Sequence, residues 1–351
     1  MPNLVSIIKN VLFPGRGRPE SQRAADVIAP LTLTPLALNE FLALDVPPRE
    51  MLLDPVLPER SLSMLYAPRG LGKSWLALSV GLVVASGGAF LRWRSPKPRT
   101  VLYVDGEMNS GDLQARLAAI SAGLGVEMPN EKFSIIAADN TEGSINLSSA
   151  EGQAALEPHL DGIDLLIADN LSTLTSNSEN GADAWLAMQN WLLRLRRKGV
   201  AVLIVHHAGI NGRQRGTSRR EDALDTVIAL RRPANYSADQ GARFEVVFEK
   251  LRQLAGEGAL PFEACVEPFA ESGKRGIRWV VRELAPPVLV QAAELFEDGM
   301  TVRAVAIELG ISRTEAGRLR KLAVEEGLFV PRGKGESPEP EGPPNGHSRP
   351  N

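Results

Sequence analysis

The chain has 351 residues, 44% hydrophobic and 23% charged, with a formal net charge of −3. Such a composition belongs to a globular protein of two or three domains with a sizeable core, and it excludes attraction to nucleic acid or membrane by bulk charge. Any nucleic-acid contact must come from local basic clusters. The single cysteine, Cys265, excludes an intrachain disulfide and a cysteine-rich zinc site, as expected in a reducing cytoplasm. Residues 1–13 lack the continuous apolar stretch and cleavage pattern of a signal peptide.

In chain order, residues 1–33 read as a flexible segment, with Gly, Pro and Arg concentrated over Pro14–Glu20. Residues 34–285 alternate apolar strand-like runs with helical segments, the pattern of an α/β domain with a mainly parallel sheet. Core strands are expected at Ser63–Tyr66, Thr100–Val104, Leu165–Ala168 and Ala201–Val205, with crossover helices at Lys73–Val84, Gly111–Leu124 and Ala182–Arg197. The near-apolar run Leu76–Leu91 is shorter than the ~18 residues of a membrane span and reads as a buried helix. Later strand signals at Val227–Leu230, Phe244–Leu251 and Ile277–Leu284 suit antiparallel additions to the sheet. Pro286-Pro287 marks a break, residues 286–332 read as three short helices, and residues 333–351 are a Pro/Gly/Ser-rich tail too poor in apolar residues to fold.

Ala67-Pro68-Arg69-Gly70-Leu71-Gly72-Lys73-Ser74-Trp75 follows a strand and opens a helix, as a phosphate-binding loop requires if its N–H groups and the helix N-terminus are to face an anion. Gly70 and Gly72 admit close backbone approach, Lys73 places a charge at the β- and γ-phosphates, and the Ser74 hydroxyl completes a magnesium shell. Ala67 departs from the strict pattern, which has glycine there. Asp169, ending a strand, is the second magnesium-site residue. Asp105-Gly106-Glu107 ends another, where Glu107 is either the base that activates water or a solvated turn acid. His206 and His207 end the fourth strand within reach of the same crevice, as γ-phosphate sensors.

The motifs Gly70-Leu71-Gly72-Lys73-Ser74, Val104-Asp105-Gly106-Glu107-Met108, Leu165-Leu166-Ile167-Ala168-Asp169-Asn170-Leu171-Ser172, Val205-His206-His207-Ala208-Gly209 and Arg215-Gly216-Thr217-Ser218 resemble, in this order, the RepA family of plasmid replicative helicases. DnaB-like helicases and RecA are looser relatives. The resemblance implies a RecA-like P-loop NTPase fold, ATP and Mg2+ as ligands, a homohexameric ring with sites between subunits, hydrolysis coupled to movement on single-stranded DNA, and replication-initiation proteins as further partners. It also identifies Lys250-Leu251-Arg252 with the family's Lys-x-Arg arrangement, in which Arg252 reaches a neighbour's γ-phosphate. The residues alone leave open a charged edge that discourages strand pairing.

Arg213, Arg215, Arg219 and Arg220 lie on a Gly-rich loop that the resemblance points at the ring channel. The other reading is a solvated connection in which Ser218 and Glu221 cap the next helix. A second channel loop, Ser176–Asp183, is weakened by Glu179 and Asp183. In the carboxy-terminal part, Thr301–Ser312 reads as a helix-turn-helix with a Ser312/Glu315 capping box, and Val324–Val330 as a small wing. Arg313, Arg318, Arg320 and Lys321 decorate its last helix and suit a DNA groove, while Glu315, Glu325 and Glu326 leave a partner-docking role open. Two functions remain: an ATP-dependent DNA helicase or translocase of a plasmid or mobile element, and a DNA-binding regulatory or recombination-mediator ATPase that does not unwind.

Overall fold

A computed structural model describes residues 34–126, 131–175, 181–209, 223–233, 235–252, 258, 260–271, 274–284 and 287–331. It comprises a larger unit ending at Leu284 and a smaller one after it. The larger unit is built on a nine-stranded sheet. After a short helix, α1 (Leu38–Leu42), and two short strands, β1 (Met51–Leu53) and β2 (Leu57–Pro58), the chain enters the sheet at β3 (Leu62–Ala67). Helix α2 (Lys73–Ser86) follows, then a hairpin of β4 (Gly88–Phe90) and β5 (Trp93–Ser95) outside the main sheet. The order continues with β6 (Val101–Asp105), α3 (Ser110–Leu124), β7 (Phe133–Ala137), α4 (Ala150–Leu156), β8 (Leu165–Asp169), α5 (Gly181–Lys198) and β9 (Ala201–His207). The last strands are β10 (Thr226–Arg231), β11 (Arg243–Leu251), β12 (Phe262–Glu271) and β13 (Lys274–Glu283).

Strands run β13-β12-β11-β10-β3-β9-β8-β6-β7 across the sheet. The six from β10 to β7 are parallel and the three beyond β10 antiparallel. Aliphatic strands buried on both faces explain this: Leu65, Tyr103, Ile167 and Leu203 face one apolar cluster with α2 and α3, while Met64, Leu102, Leu166 and Ile204 face the other with α5. A mainly parallel sheet with a phosphate-loop helix and helices on both faces is the α/β architecture expected of a P-loop protein.

All four expected core strands and three crossover helices are present. Val227–Leu230, expected to be antiparallel, instead pairs parallel with β3. The connection from Ala208 to Asp225 is long enough for the crossover such a return needs. The helix in the apolar run stops at Ser86, because Gly87-Gly88 turns the chain into the β4–β5 hairpin that buries Phe90 and Trp93. The sequence reading missed β7, an edge strand with much of its surface exposed, and β12, whose mixed residues and Pro268 hide its pattern.

Helix α2 is buried on all sides, from Leu76 through Ala85, which a helix apolar all round requires. The sheet covers one side and the antiparallel strands cover another: Trp279 Nε1 donates to Ser79 Oγ at 2.9 Å, and Phe244 meets Trp279 edge-on at 5.9 Å. Strand β13 also packs onto α3 so closely that a Cβ on Gly123 would lie 1.5 Å from the Ile277 carbonyl oxygen.

In the smaller unit, α6 (Pro287–Glu297), α7 (Val302–Glu308) and α8 (Arg313–Glu325) enclose a core of Leu289, Phe296, Val305, Leu319 and Phe329. Thr301 and Ser312 cap α7 and α8 by accepting from Ala304 N and Glu315 N. Gly310, at φ 65°, makes the left-handed turn between them. This is a helix-turn-helix. Among the described residues no strand follows α8: residues 326–331, within the stretch Val324–Val330 where a wing was expected, form turns and irregular chain.

The Gly123 contact has a direct consequence. Gly123→Ala forces α3 and β13 apart, and overpacking of this kind costs about 1–3 kcal/mol. At ~2–4 °C per kcal/mol for a unit of this size, thermal unfolding followed by circular dichroism should show a fall of several degrees. An unchanged midpoint would contradict this packing.

Candidate active site

A parallel sheet delivers the carboxyl ends of its strands to one rim, and there the chemistry-bearing residues collect. Strand β3 ends at Ala67 and α2 begins at Lys73, with Gly72 as the residue before it at φ 104°. Only glycine fits: besides the positive φ, a Cβ there would lie 2.9 Å from Ala242 Cβ and 3.1 Å from the Phe244 ring. Leu71, fully buried, anchors the loop into the core, while Arg69 and Gly70 are exposed. Lys73 Nζ donates to the carbonyls of Ala67 at 3.2 Å and Pro68 at 3.0 Å, so the loop's own backbone holds the ammonium over the cradle. Burial pulls the Lys73 pKa down, opposed by the charges of Asp169 and Glu107. Trp75, by contrast, packs against the core with the Arg116 guanidinium 5.3 Å from its ring centroid.

Asp169 ends β8 almost fully buried, directly beside Asp105 at the end of β6. Tyr103 Oη donates to Asp169 Oδ2 at 2.6 Å, and the Ser74 hydroxyl also bonds this carboxylate. Burial raises the Asp169 pKa, while those two hydrogen bonds and the Lys73 charge oppose it. A buried carboxylate beside a hydroxyl, at the mouth of a glycine cradle, is an oxygen donor set that suits a hard dication such as Mg2+ carried on phosphates. Ser74 and Asp169 are the residues that would hold it.

Glu107 sits on the turn after β6 with its side chain about half exposed. Asn170 Nδ2 donates to Glu107 Oε2, and His207 Nε2 lies 3.7 Å from the same oxygen. His207 therefore joins the constellation. Although His206 is its neighbour, strand alternation turns it to the other face, level with Tyr66 rather than Ala67. Both histidines are buried.

Three residues that the sequence reading did not select support this group. The Asp105 carboxylate accepts from Glu107 N at 3.2 Å and Met108 N at 2.8 Å, so it shapes the turn that carries Glu107. Tyr103 orients Asp169, and Asn170 reaches Glu107. A buried polar residue at a strand end was the available signal for Asp105, and Asn170 showed itself only as the residue following Asp169.

Lys250 and Arg252 lie elsewhere. Leu251 pairs with Thr226, which pairs with Ser63 near the start of β3, so both basic residues sit at the opposite rim from the phosphate loop. The four steps from Ser63 to Ala67 alone span about 13 Å at ~3.3 Å per residue. Asp225 marks this far rim, accepting from Leu62 N at 3.0 Å and, through its carbonyl, from Arg252 N at 3.1 Å. The arginines Arg213, Arg215, Arg219 and Arg220, with the Ser218 and Glu221 cap, fall outside the described residues, as do residues 176–180 of the other channel loop.

In the smaller unit, Arg313, Arg318, Arg320 and Lys321 are exposed on α8. Arg318 lies 3.9 Å from Glu315, Lys321 3.7 Å from Glu325, and Arg320 lies over the Phe296 and Phe329 rings. The positive face is thus partly offset by acids of the same helix.

Burial pushes the Asp105 carboxyl up to about 6, the amides of Met108 and Glu107 oppose it, and the Asp169 charge adds to the rise. The folded chain therefore binds this proton more tightly than the unfolded chain, whose aspartate titrates near ~3.9. Stability contributed by protonated Asp105 is complete below pH ~4 and is lost as pH rises through about 6. Asp105→Asn keeps the acceptor without the charge. In nucleotide-free, metal-free protein its melting temperature should exceed that of the wild type at pH 7–8 by an increment that shrinks toward pH 4. A pH-independent difference would contradict the assignment.

The phosphate loop lies within a stretch that matches a known family. The profile of the AAA domain family matches residues 29–213. No curated protein matches the sequence. Among solved structures, the chain is similar to the RadB recombinase, with 16% identity, a TM-score of 0.44, and coverage of 65% of this chain and 93% of that one. It is similar to a KaiC-like protein from the hyperthermophilic archaeon Pyrococcus horikoshii OT3, with 16% identity, a TM-score of 0.46 and the same coverage. With more than half of its length matched and Lys73, Ser74 and Asp169 gathered at one rim, the chain belongs to the AAA domain family of P-loop ATPases.

Proposed function

We propose that the chain is an ATP-driven motor on single-stranded DNA, a helicase or translocase that works in the cytoplasm as a homohexameric ring, in the replication of a plasmid or similar element. The observation that carries the reading is the split between the two rims. Lys73, Ser74, Asp169 and Glu107 stand at one end of the sheet, and Lys250 with Arg252 at the other. A basic pair that far from its own phosphate loop can serve ATP only in another copy, which is what a ring with sites between subunits requires. Replication-initiation proteins would be its further partners.

In this reading Gly70–Ser74 and Lys73 bind the triphosphate, with Ser74 and Asp169 holding its Mg2+. The metal, when bound, offsets charge on the phosphate oxygens. Glu107 Oε2 orients water and takes its proton, His207 stands beside it, and Arg252 of a neighbouring copy offsets charge developing on the transferred phosphoryl group. Single-stranded DNA would be contacted through Arg213, Arg215, Arg219 and Arg220. Membrane insertion plays no part in the reading, and no helix among the described residues is long and apolar enough to cross a bilayer.

The second reading, a regulatory or recombination-mediator ATPase without unwinding activity, is favoured by the helix-turn-helix in the smaller unit, with Arg313 and Arg318 exposed on its last helix. Unwinding of a forked duplex separates the two.

Two outcomes are expected. Lys73→Ala and Glu107→Gln should each lower ATP turnover by at least ~100-fold, the first by weakening nucleotide binding and the second with binding retained. Wild-type turnover in either variant removes that residue from the mechanism. Mixing Arg252→Ala subunits into wild type should depress turnover more than in proportion to their share; a strictly proportional loss would show that Arg252 serves no neighbour.

A further inference from the structure

Two turns meet at the active rim. One carries Asp105, Gly106 and Glu107; the other runs from Asn170 to Thr175 and leads toward α5. They are joined by two hydrogen bonds and by close packing at Gly106. Gly106 N donates to the Asp169 carbonyl at 2.7 Å, Asn170 Nδ2 donates to Glu107 Oε2, and a Cβ on Gly106 would lie 2.6 Å from Thr173 Oγ1. The second turn is itself fixed around Asn170, whose carbonyl accepts from Thr173 N at 3.2 Å, Leu174 N at 3.1 Å and Thr173 Oγ1 at 3.0 Å.

The side chain of Asn170 is locked as well. It is 1% exposed, and its Oδ1 accepts from Ser172 N at 3.0 Å, which fixes which end of the amide is oxygen and turns the NH2 group toward Glu107. The glutamate it meets is in the opposite situation. Its side chain is 57% exposed, on a turn, and an exposed Glu has much rotamer freedom to lose when it is held in one pose. A rigid buried donor facing an exposed carboxylate is an arrangement that orients the carboxylate.

We propose that Asn170 is a positioning residue for hydrolysis: its amide holds the Glu107 carboxylate in the orientation from which it activates water. The proposal rests on the reading of Glu107 as the base. Asn170 does not touch the reacting atoms; it acts through Glu107 alone. Because Oδ1 is occupied by Ser172 N, only Nδ2 faces Glu107, so an aspartate at this position would present an oxygen to Glu107 and repel it.

The experiment measures release of labelled phosphate in single turnovers by wild type, Asn170→Ala, Asn170→Ser, Glu107→Gln and the double variant Glu107→Gln/Asn170→Ala, with binding of a fluorescent ADP analogue and thermal melting as controls. Misplacement of a catalytic group by about 1 Å costs up to ~100-fold, so Asn170→Ala should lower the hydrolysis rate ten- to a hundred-fold with ADP-analogue affinity within about two-fold of wild type. Asn170→Ser keeps a short acceptor for Ser172 N but cannot reach Glu107, so it should be equally slow; it replaces the alanine variant in the cycle if that variant fails to fold. In the Glu107→Gln background, removal of Asn170 should cost little more, since its route of action is already gone. Wild-type rates in both Asn170 variants, or the same full loss repeated in the Glu107→Gln background, would overturn the proposal. Wild-type turnover in Glu107→Gln itself would instead overturn the reading of Glu107 as the base.

Discussion

The structure depends on keeping a cation and several carboxyl groups at the end of a sheet made of aliphatic strands. Lys73, Asp105 and Asp169 are all nearly buried, and burial disfavours the charged form of each. They are tolerated because they answer one another: Asp169 and Glu107 support the Lys73 charge, Tyr103 and Ser74 bond Asp169, and backbone amides bond Asp105. A buried polar group left unpaired is costly, so this network dictates which residue types can stand at the rim. The same poised charge makes the rim receptive to a triphosphate and its dication.

The rest of the fold serves that rim. Helix α2 begins with Lys73 and Ser74 of the phosphate loop, and it is held by apolar cover on every side, including the antiparallel strands that fold over it through Phe244 and Trp279. The two turns carrying Glu107 and Asn170 are locked by Gly106, whose bare Cα lets them approach. Rigidity here matters for chemistry, because a catalytic group held loosely spends part of its time out of reach.

Much of this was legible in the residues. The phosphate loop announced itself by Gly-x-Gly-Lys-Ser between an apolar strand and an apolar helix, and Asp169 by its place at the end of Leu165–Ala168. Parallel strands buried on both faces are continuous apolar runs, which is why β3, β6, β8 and β9 stood out. The edge strand β7 and the mixed strand β12 did not, since half-exposed strands lose that signal. Direction was harder than existence: β10 is parallel because of a long crossover, not because of its own residues. The support given by Tyr103, Asp105 and Asn170 could not be read, because it depends on which strands neighbour each other, and β8 lies beside β6 although α3, β7 and α4 separate them in the chain. The pairing of His206 with His207 in the sequence misled for a related reason, since adjacent strand residues face opposite ways.

The central claim is that Ser74 and Asp169 hold Mg2+ on a triphosphate bound over Lys73, and calorimetry tests it most directly. Titration of a non-hydrolysable ATP analogue into wild-type protein and Asp169→Asn, each with Mg2+ and with EDTA, should show binding strengthened by Mg2+ in the wild type and little such gain in the variant. Equal Mg2+ dependence in the two proteins, or no affinity of the wild type for the analogue, would contradict it.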